Sequence, residues 1–240
     1  MSKQKNIFKS LATSLFTSVK TLTRFEKILW CVSVVVILLS FIATRSPDTL
    51  VIAATLTGIT ALIFIARGDV LGQILIIIFS ILYAIVSYRF AYYGEMISYV
   101  GMSGLIALFS TVSWIRHPYK EKQVKISRPS KRALFLLAIL TTVITFAFYF
   151  ILKILGTSNL PFSTISIATS FVASSLALLR SPHYALAYAI NDLVLIVLWV
   201  LATIQDISSF PMIICFVMFF INDMYGFFNW LKMEKLQNGI

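Results

Sequence analysis

The sequence has few charged residues for its length, and acidic residues are the scarcest of them. Only 12% of the 240 residues are charged, about half the share that a soluble domain carries. Asp and Glu number 9 against 20 Lys and Arg, which gives a formal net charge of +11. Hydrophobic residues make up 59% and form long uncharged runs along the whole chain. This composition excludes an ordinary soluble domain and predicts a polytopic helical membrane protein.

Residues that could hold a metal or carry out nucleophilic chemistry are also scarce. The two cysteines, Cys31 and Cys215, lie in apolar runs without disulfide or metal-ligand spacing. The two histidines, His117 and His183, lie in short basic loops beside prolines. The sequence contains no GxxxxGK[ST] phosphate-binding loop. We therefore expect no metal site, no cofactor, no catalytic residue and no enzyme activity, and the basic loops do not lead us to expect nucleic acid as a partner.

Eight apolar runs are each long enough to cross a bilayer, which predicts an all-α fold with eight transmembrane helices. The runs cover approximately residues 27–44, 49–66, 70–90, 95–115, 132–153, 162–180, 184–203 and 208–231. With the N-terminus in the cytoplasm, seventeen Lys and Arg lie on the cytoplasmic side and three outside. This asymmetry predicts a multi-pass protein of the bacterial inner (plasma) membrane with both termini in the cytoplasm. The basic residues 1–25 fit an amphipathic helix on an anionic membrane surface or a disordered tail.

The two halves of the chain resemble each other. The stretch around Arg67 is similar to the stretch around Arg180 at an offset of 113, and Trp114 matches Trp230 at an offset of 116. Parallel repeats of this kind are typical of transporters. We predict two three-helix repeats in a 3-1-3 arrangement, with a linker helix between them and one extra N-terminal helix. The predicted segments are the N-terminal segment 1–25, the extra helix 27–44, the first repeat 49–115, the basic cytoplasmic loop 116–131, the linker helix 132–153 and the second repeat 162–231.

The last two runs each contain an Asn-Asp pair, at Asn191-Asp192 and Asn222-Asp223. An ionisable side chain inside a membrane helix costs at least ~2.5 kcal/mol, so it suggests a functional site. In antiparallel helices both Asp residues would lie eight positions, or ~12 Å, from the same membrane face. The alternatives are a structural hydrogen bond between two helices and a membrane-embedded enzyme with a carboxylate pair. Candidate substrate-binding residues are Tyr99, Tyr188, Trp199 and Tyr225 for ring stacking, and Asn191, Asp192, Asn222, Asp223 and Asn229 for hydroxyl groups.

The predicted topology resembles SWEET-like sugar carriers and the Pnu-type vitamin transporters of bacteria. Short motifs favour the second group, and within it the PnuC nicotinamide riboside transporter family. The similar motifs are Tyr93-Gly94-Glu95 at the family's Tyr-Gly-acidic turn, Trp114 at the end of the first triplet, Asp192 at the family's Asp, and Tyr225-Gly226 with Trp230 at the closing Gly-x-x-x-Trp segment. The resemblance covers about residues 30–232.

Two positions depart from the family pattern. The family's Trp-x-x-Trp reads Ala185 and Tyr188 here, and its Gln after the Tyr-Gly turn is Tyr99. The resemblance implies facilitated diffusion of nicotinamide riboside or a related nucleoside-like vitamin, with uptake driven by phosphorylation in a cytoplasmic kinase reaction. The alternatives are a deoxynucleoside or thiamine transporter of the same family, an ATPase-dependent vitamin-binding subunit, and a SWEET-type sugar carrier. The expected partners are the small-molecule substrate, the lipid bilayer and that kinase, and a homo-oligomer is a further option.

Overall fold

A computed structural model of the protein describes residues 20–45, 48–120 and 123–239. Within these ranges, eight helices are long and apolar enough to cross a membrane, which confirms the predicted all-α class. They are α1 (Arg24–Thr44), α2 (Thr49–Ala66), α3 (Val70–Arg89), α4 (Tyr93–Arg116), α5 (Lys131–Ile154), α6 (Leu160–Leu178), α7 (Tyr184–Gln205) and α8 (Phe210–Gln237). A hairpin of β1 (Pro118–Lys120) and β2 (Gln123–Val124) follows α4. Most of the predicted N-terminal amphipathic helix lies outside the described residues.

Polar side chains at the helix starts explain where several helices begin. Asp48 accepts hydrogen bonds from the first backbone N–H groups of α2, Asp69 does so for α3, and Ser130 does so for α5. Thr23 forms a reciprocal capping box with Glu26 at the start of α1. These caps satisfy backbone donors that the helices leave free. Between the caps the runs are apolar, and a bilayer favours helices because they satisfy their own backbone groups.

The two predicted triplets, α2–α4 and α6–α8, pack in the same way. In each triplet the middle helix contacts both of the others, and α2 contacts α8 just as α4 contacts α6. Helix α1 lies against α2 and α8, while α5 lies against α6 and the first turn of α4. The extra helix α1 and the linker helix α5 therefore have equivalent positions. The contacts also divide the bundle into two units of four helices, α1–α4 and α5–α8.

Two buried tryptophans join the halves through equivalent hydrogen bonds. The indole N–H of Trp230 on α8 donates to the carbonyl of Ile65 at the end of α2, over 2.9 Å. The indole N–H of Trp114 on α4 donates to the carbonyl of Ala177 at the end of α6, over 3.1 Å. Both side chains are almost completely buried, so they are not the interfacial anchors that Trp residues near helix ends often are.

The turns after α2 and α6 are also equivalent, but their register differs from the sequence alignment. Gly68 and Arg180 have left-handed backbone angles, with φ of 72° and 58°. Their N–H groups donate to the carbonyls of Ile65 and Ala177, the same two that accept from the tryptophans. The structure therefore pairs Arg180 with Gly68, not with Arg67, and the offset at this turn is 112.

The loop between α4 and α5 lies across both turns. The N–H of Val124 donates to the carbonyl of Gly68 in the first turn, and the N–H of Ser127 donates to the carbonyl of Arg180 in the second, both over 3.0 Å. At the end of α8, the Gln237 side chain accepts from the loop backbone at Ile126. The basic loop, both turns and the end of α8 therefore lie on one face of the bundle.

Candidate functional site

Two buried carboxyl groups meet at the centre of the second triplet. The side chains of Asp192 on α7 and Asp223 on α8 interact, and both residues are buried, with exposures of 2% and 4%. Their contact fits the equal depth predicted from the sequence. The Oδ2 atom of Asp192 has no hydrogen-bond partner among the described residues, so one strong acceptor is free for a ligand.

The neighbouring amides are each only partly satisfied. Asn191 accepts hydrogen bonds from Thr169 and Ser170 of α6, over 2.7 and 3.0 Å, while its Nδ2 has no partner in the described part of the chain. Asn222 donates to Ser33 of α1 over 3.0 Å and to a carbonyl one turn earlier, and its Oδ1 is without a described partner. Buried polar groups are nearly always hydrogen-bonded, so a free donor on Asn191 and a free acceptor on Asn222 suggest a site that a ligand completes.

Tyr188 and a row of serines extend this region towards α4. The Tyr188 hydroxyl lies 3.0 Å from Ser174 Oγ, which lies 3.3 Å from Ser103 Oγ on α4. Four buried serines share one face of α6, namely Ser163, Ser166, Ser170 and Ser174. The sequence reading missed this row, although serines spaced three and four residues apart on an apolar helix are a visible signal. We call Tyr188, Asn191, Asp192, Asn222 and Asp223 the polar cluster.

Aromatic side chains cover the polar cluster on the side of the α7 C-terminus. Trp199 is completely buried and donates its indole N–H to the hydroxyl of Tyr83 over 2.9 Å, so it is not an interfacial anchor either. The Tyr83 ring packs edge-on against Tyr99, with ring centroids 4.3 Å apart. The ring of Tyr92 lies 5.5 Å from that of Trp199. These four residues form what we call the upper aromatic layer.

A second group of rings covers the opposite side. The rings of Tyr184 and Trp230 are 4.6 Å apart, and those of Trp114 and Trp230 are 5.4 Å apart. All three side chains are almost completely buried. We call them the lower aromatic layer. The polar cluster therefore lies between two aromatic layers, one near each end of α7.

Two of the predicted site residues lie outside the polar cluster. Tyr225 donates its hydroxyl to Glu26 of α1 over 3.0 Å, and its ring packs against Phe25. Asn229 donates to the carbonyl of Ala66 at the end of α2 over 2.8 Å. Both side chains join α8 to neighbouring helices; they lie on the same side of α8 as Asn222, which bonds to Ser33 of α1, but one and two turns nearer the end of the helix. The structure brings together Tyr188, Asp192 and Asp223, with Tyr99 close to Asp192. At the same depth Asn191 bonds to α6 and Asn222 bonds to α1. Trp199 lies two turns beyond Asp192 on α7, in the upper aromatic layer.

Position 185, where the resemblance led us to expect Trp, lies in a tight contact between helices. Ala185 is completely buried against α8, where a Cβ added to Gly226 would lie 3.6 Å from the Cβ of Ala185 and 3.5 Å from that of Ala66. This is a close contact of small residues between helices. A Trp at position 185 would need α8 to move away. Of the two aromatic positions in the family pattern, only Tyr188 retains an aromatic side chain in this chain.

The sequence reading named Glu95 as part of a motif but not as a site residue. Glu95 is completely buried in the first turn of α4 and interacts with Ser166 of α6. Neither carboxylate oxygen has a hydrogen bond of good geometry within the described residues. It lies within electrostatic range of Tyr83 and Tyr99 of the upper aromatic layer. A scarce acidic residue beside an apolar run was the available sequence signal.

Helix α4 is irregular where it passes the polar cluster. Residues Ser98–Gly104 form a π-helical segment that carries Tyr99 and Ser103. A Cβ at position 104 would lie 2.9 Å from the carbonyl oxygen of Tyr99 and 3.3 Å from Ser80, so glycine is the residue that fits. Short π segments inside α-helices are frequent at functional sites.

Comparisons with known proteins agree with this arrangement. The profile of a family described as "Nicotinamide mononucleotide transporter" matches residues 48–232. The chain belongs to this transporter family. It is 27% identical over 201 residues to the nicotinamide riboside transporter PnuC of Neisseria mucosa, covering 81% of this chain and 76% of the relative. It also resembles the crystal structure of the vitamin B3 transporter PnuC, with a TM-score of 0.79, 26% identity, and coverage of 90% and 94% of the two chains. The resemblance to Pnu-type transporters is thereby confirmed.

Proposed function

We propose that this protein carries nicotinamide riboside across the inner membrane of a bacterium, with both termini in the cytoplasm. The observation that carries the proposal is the pair of buried, interacting carboxyl groups, Asp192 and Asp223, between two aromatic layers. The likeness to transporters named for nicotinamide riboside and vitamin B3 supports it. The basic loop, both basic turns and the end of α8 share one face, which supports a cytoplasmic position for that face.

The chemistry of the polar cluster suits this substrate. Nicotinamide riboside has a flat ring with a positive charge and a sugar with hydroxyl groups. A carboxylate attracts the ring cation, and the face of Tyr188 can stack on the ring. The free Nδ2 of Asn191 and the free Oδ1 of Asn222 can donate to and accept from the hydroxyl groups. We assign the binding role to these residues, with Tyr99 and Trp199 closing the site from above.

The same charges disfavour a phosphorylated substrate. In the described part of the chain the Lys and Arg side chains that form ion pairs do so with Glu26, Asp48 and Glu234, away from the polar cluster. A phosphate group would therefore meet carboxylates without a cation to offset them. This argues for the nucleoside over the mononucleotide as the transported species. Phosphorylation by a cytoplasmic kinase would then retain the substrate inside the cell, and transport itself would be facilitated diffusion.

A related substrate is the second candidate, and one observation favours it. Only Tyr188 remains of the two aromatic positions in the family pattern, and Ala185 packs against α8. A pocket with a different aromatic wall could select thiamine, which also carries a ring cation, or a deoxynucleoside, which does not.

Calorimetric titration of the purified protein tests the proposal. The panel is nicotinamide riboside, nicotinamide mononucleotide, nicotinamide, thiamine, deoxyadenosine, uridine and glucose. We expect heat of binding with nicotinamide riboside and none with the mononucleotide, and uptake of the same compound by proteoliposomes. Binding of thiamine or deoxyadenosine in place of nicotinamide riboside would replace the substrate while retaining the transporter class. Binding of the mononucleotide would contradict the electrostatic argument.

A further inference from the structure

Glu95 is a buried acidic residue that the site described above does not use. Its side chain is completely buried, and both carboxylate oxygens are without a hydrogen bond of good geometry among the described residues. The ion pairs within residues 20–45, 48–120 and 123–239 involve other acidic residues. Burying an ionised carboxylate without a cation or full hydrogen bonding is costly, so such a group needs an explanation.

The serine row on α6 shows where Glu95 lies relative to the polar cluster. Ser166 interacts with Glu95, and Ser170, four residues later, donates to Asn191. Four residues of helix correspond to ~6 Å along the axis, so Glu95 lies about one turn from the level of Asn191. Tyr99 is within electrostatic range of both Glu95 and Asp192. Glu95 therefore lies on the same line of polar groups as the carboxyl pair.

The chain directions of α4 and α7 show on which side of the carboxyl pair Glu95 lies. Glu95 is in the first turn of α4, which begins after the loop from α3 and ends at the face that carries the basic loop. Asp192 is eight residues after the start of α7 at that same basic face. With the orientation proposed above, Glu95 lies between the outer ends of the helices and the carboxyl pair.

We propose that Glu95, with Ser166 and Tyr99, forms a second subsite for the cationic ring of the substrate on the outer side of the Asp192–Asp223 pair. This inference rests on the proposed function, because it assumes a cationic substrate. The ring cation supplies the missing counter-charge for Glu95, and Tyr99, which lies within electrostatic range of Glu95, offers it an aromatic ring. The substrate then passes over about one helical turn to the carboxyl pair.

Uptake by proteoliposomes containing the full-length protein tests the subsite with Glu95→Gln. The substitution preserves shape and removes the charge. We expect KM for uptake of nicotinamide riboside to rise about tenfold, the loss typical of one charge-assisted contact. Glu95→Asp should restore KM to within about threefold, because it keeps the carboxylate. The thermal midpoint of Glu95→Gln should not fall, since no described hydrogen bond to the carboxylate is lost.

Neutral and cationic substrates separate recognition of charge from a structural role. Deoxyadenosine is neutral at the ring, whereas nicotinamide riboside and thiamine are cationic. Where the wild type carries both a neutral and a cationic substrate, equal impairment of the two by Glu95→Gln overturns the subsite. Transport by Glu95→Gln at the wild-type rate and KM overturns it in every case. A fall in thermal midpoint that Glu95→Asp does not correct would also overturn it, in favour of a structural carboxyl group.

The wild type is measured first, so that failure of the proposed function is recognised separately. If the wild type carries thiamine but not nicotinamide riboside, the proposed substrate is wrong and the same comparison continues with thiamine as the cation. If it carries only deoxyadenosine, both the proposed substrate and the cation subsite fall. If it carries nicotinamide riboside normally and Glu95→Gln does too, only the subsite falls.

Discussion

The two halves of the molecule share a scaffold but not a chemistry. The Trp230–Ile65 bond in one half is repeated by Trp114–Ala177 in the other, at equivalent helix ends. The polar cluster, in contrast, comes entirely from α7 and α8, and the serine row comes from α6. The first half supplies the aromatic rings of Tyr83 and Tyr99, along with Glu95. A symmetric scaffold allows one half to rock against the other, whereas a substrate with a ring at one end and a sugar at the other needs an asymmetric site.

The last helices of the two halves show the same contrast. Helix α4 contains the π-helical segment Ser98–Gly104, which turns Tyr99 towards the upper aromatic layer. Helix α8 is a continuous α-helix from Phe210 to Gln237, and its last turn is bonded to the central loop. The irregular helix lies beside the polar cluster without contributing to it, and the regular helix contributes Asn222 and Asp223. A local change in α4 can therefore alter access to the cluster while its carboxyl groups stay in place.

The largest expected effect comes from neutralising Asp192, one of the two carboxyl groups that the second half contributes to the polar cluster. Asp192→Asn keeps the shape of the side chain and its ability to hydrogen-bond to Asp223, but it neutralises one carboxyl group. A hydrogen bond to a charged group contributes about 1.5–3 kcal/mol, which corresponds to roughly 10- to 100-fold in Kd. We expect binding of nicotinamide riboside, measured by calorimetry, to weaken by that factor.

The matched control is Asp206→Asn, because Asp206 lies in the loop after α7 and is exposed. Hydrogen bonds from Ser208 hold the pKa of Asp206 below its usual value, so its carboxylate is ionised in the folded protein at neutral pH. Neutralising it should leave Kd within about twofold of the wild type. Equal losses from both substitutions would mean that net charge, and not the polar cluster, governs binding.

A smaller effect is expected from the scaffold, and here the two halves should behave alike. Trp230→Phe and Trp114→Phe each remove one hydrogen bond to a helix-end carbonyl, which keeps its second bond from the turn N–H. The loss in free energy of unfolding should be about 1 kcal/mol in each case, or about 2–4 °C in thermal midpoint.

Thermal unfolding of the two purified variants measures this directly. Similar decreases would support equivalent roles in the two halves. If one substitution had no effect while the other lowered the midpoint by several degrees, the two halves would share a backbone path but not the stabilising role of this hydrogen bond. The double variant should lose less than the sum of the two, because the two indole rings are in contact.

The eight helices and the contact between Asp192 and Asp223 follow from simple physical rules. A bilayer requires helices about 20 residues long, and two antiparallel helices place residues equally far from one face at the same depth. Both rules need only positions along the chain. The serine row and the burial of Glu95 depend on which face of α6 or α4 meets another helix. The sequence does not identify that face, because the lipid-facing sides of these helices are as apolar as their packed sides.

Helix α8 illustrates the same limit. Tyr225 and Asn229 lie on the same side of α8 as Asn222 and have suitable side chains, but nearer the end of the helix they bond to Glu26 of α1 and to the end of α2. The sequence alignment pairs Arg180 with Arg67 because the residue types match, whereas the structure pairs it with Gly68. A left-handed turn normally favours glycine, so the sequence did not indicate an arginine in that conformation. Position along the helix was predictable, whereas the partner of each side chain required the packed bundle.

The smallest effects are expected from a Tyr→Phe substitution at two positions in the second half, one inside the polar cluster and one outside it. Tyr225→Phe removes the hydroxyl that donates to Glu26, which keeps hydrogen bonds at the start of α1 and its ion pair with Arg67. We expect a loss of about 0.5–1 kcal/mol in stability and no change in Kd beyond about twofold.

Tyr188→Phe removes the hydroxyl next to Ser174 and should raise Kd several-fold, or about 1 kcal/mol in binding free energy. Thermal unfolding and calorimetry on the two variants separate the roles. If Tyr225→Phe weakened binding more than Tyr188→Phe, the binding site would extend towards α1, and α1 would then be part of the transport path and not only a helix packed on its outside.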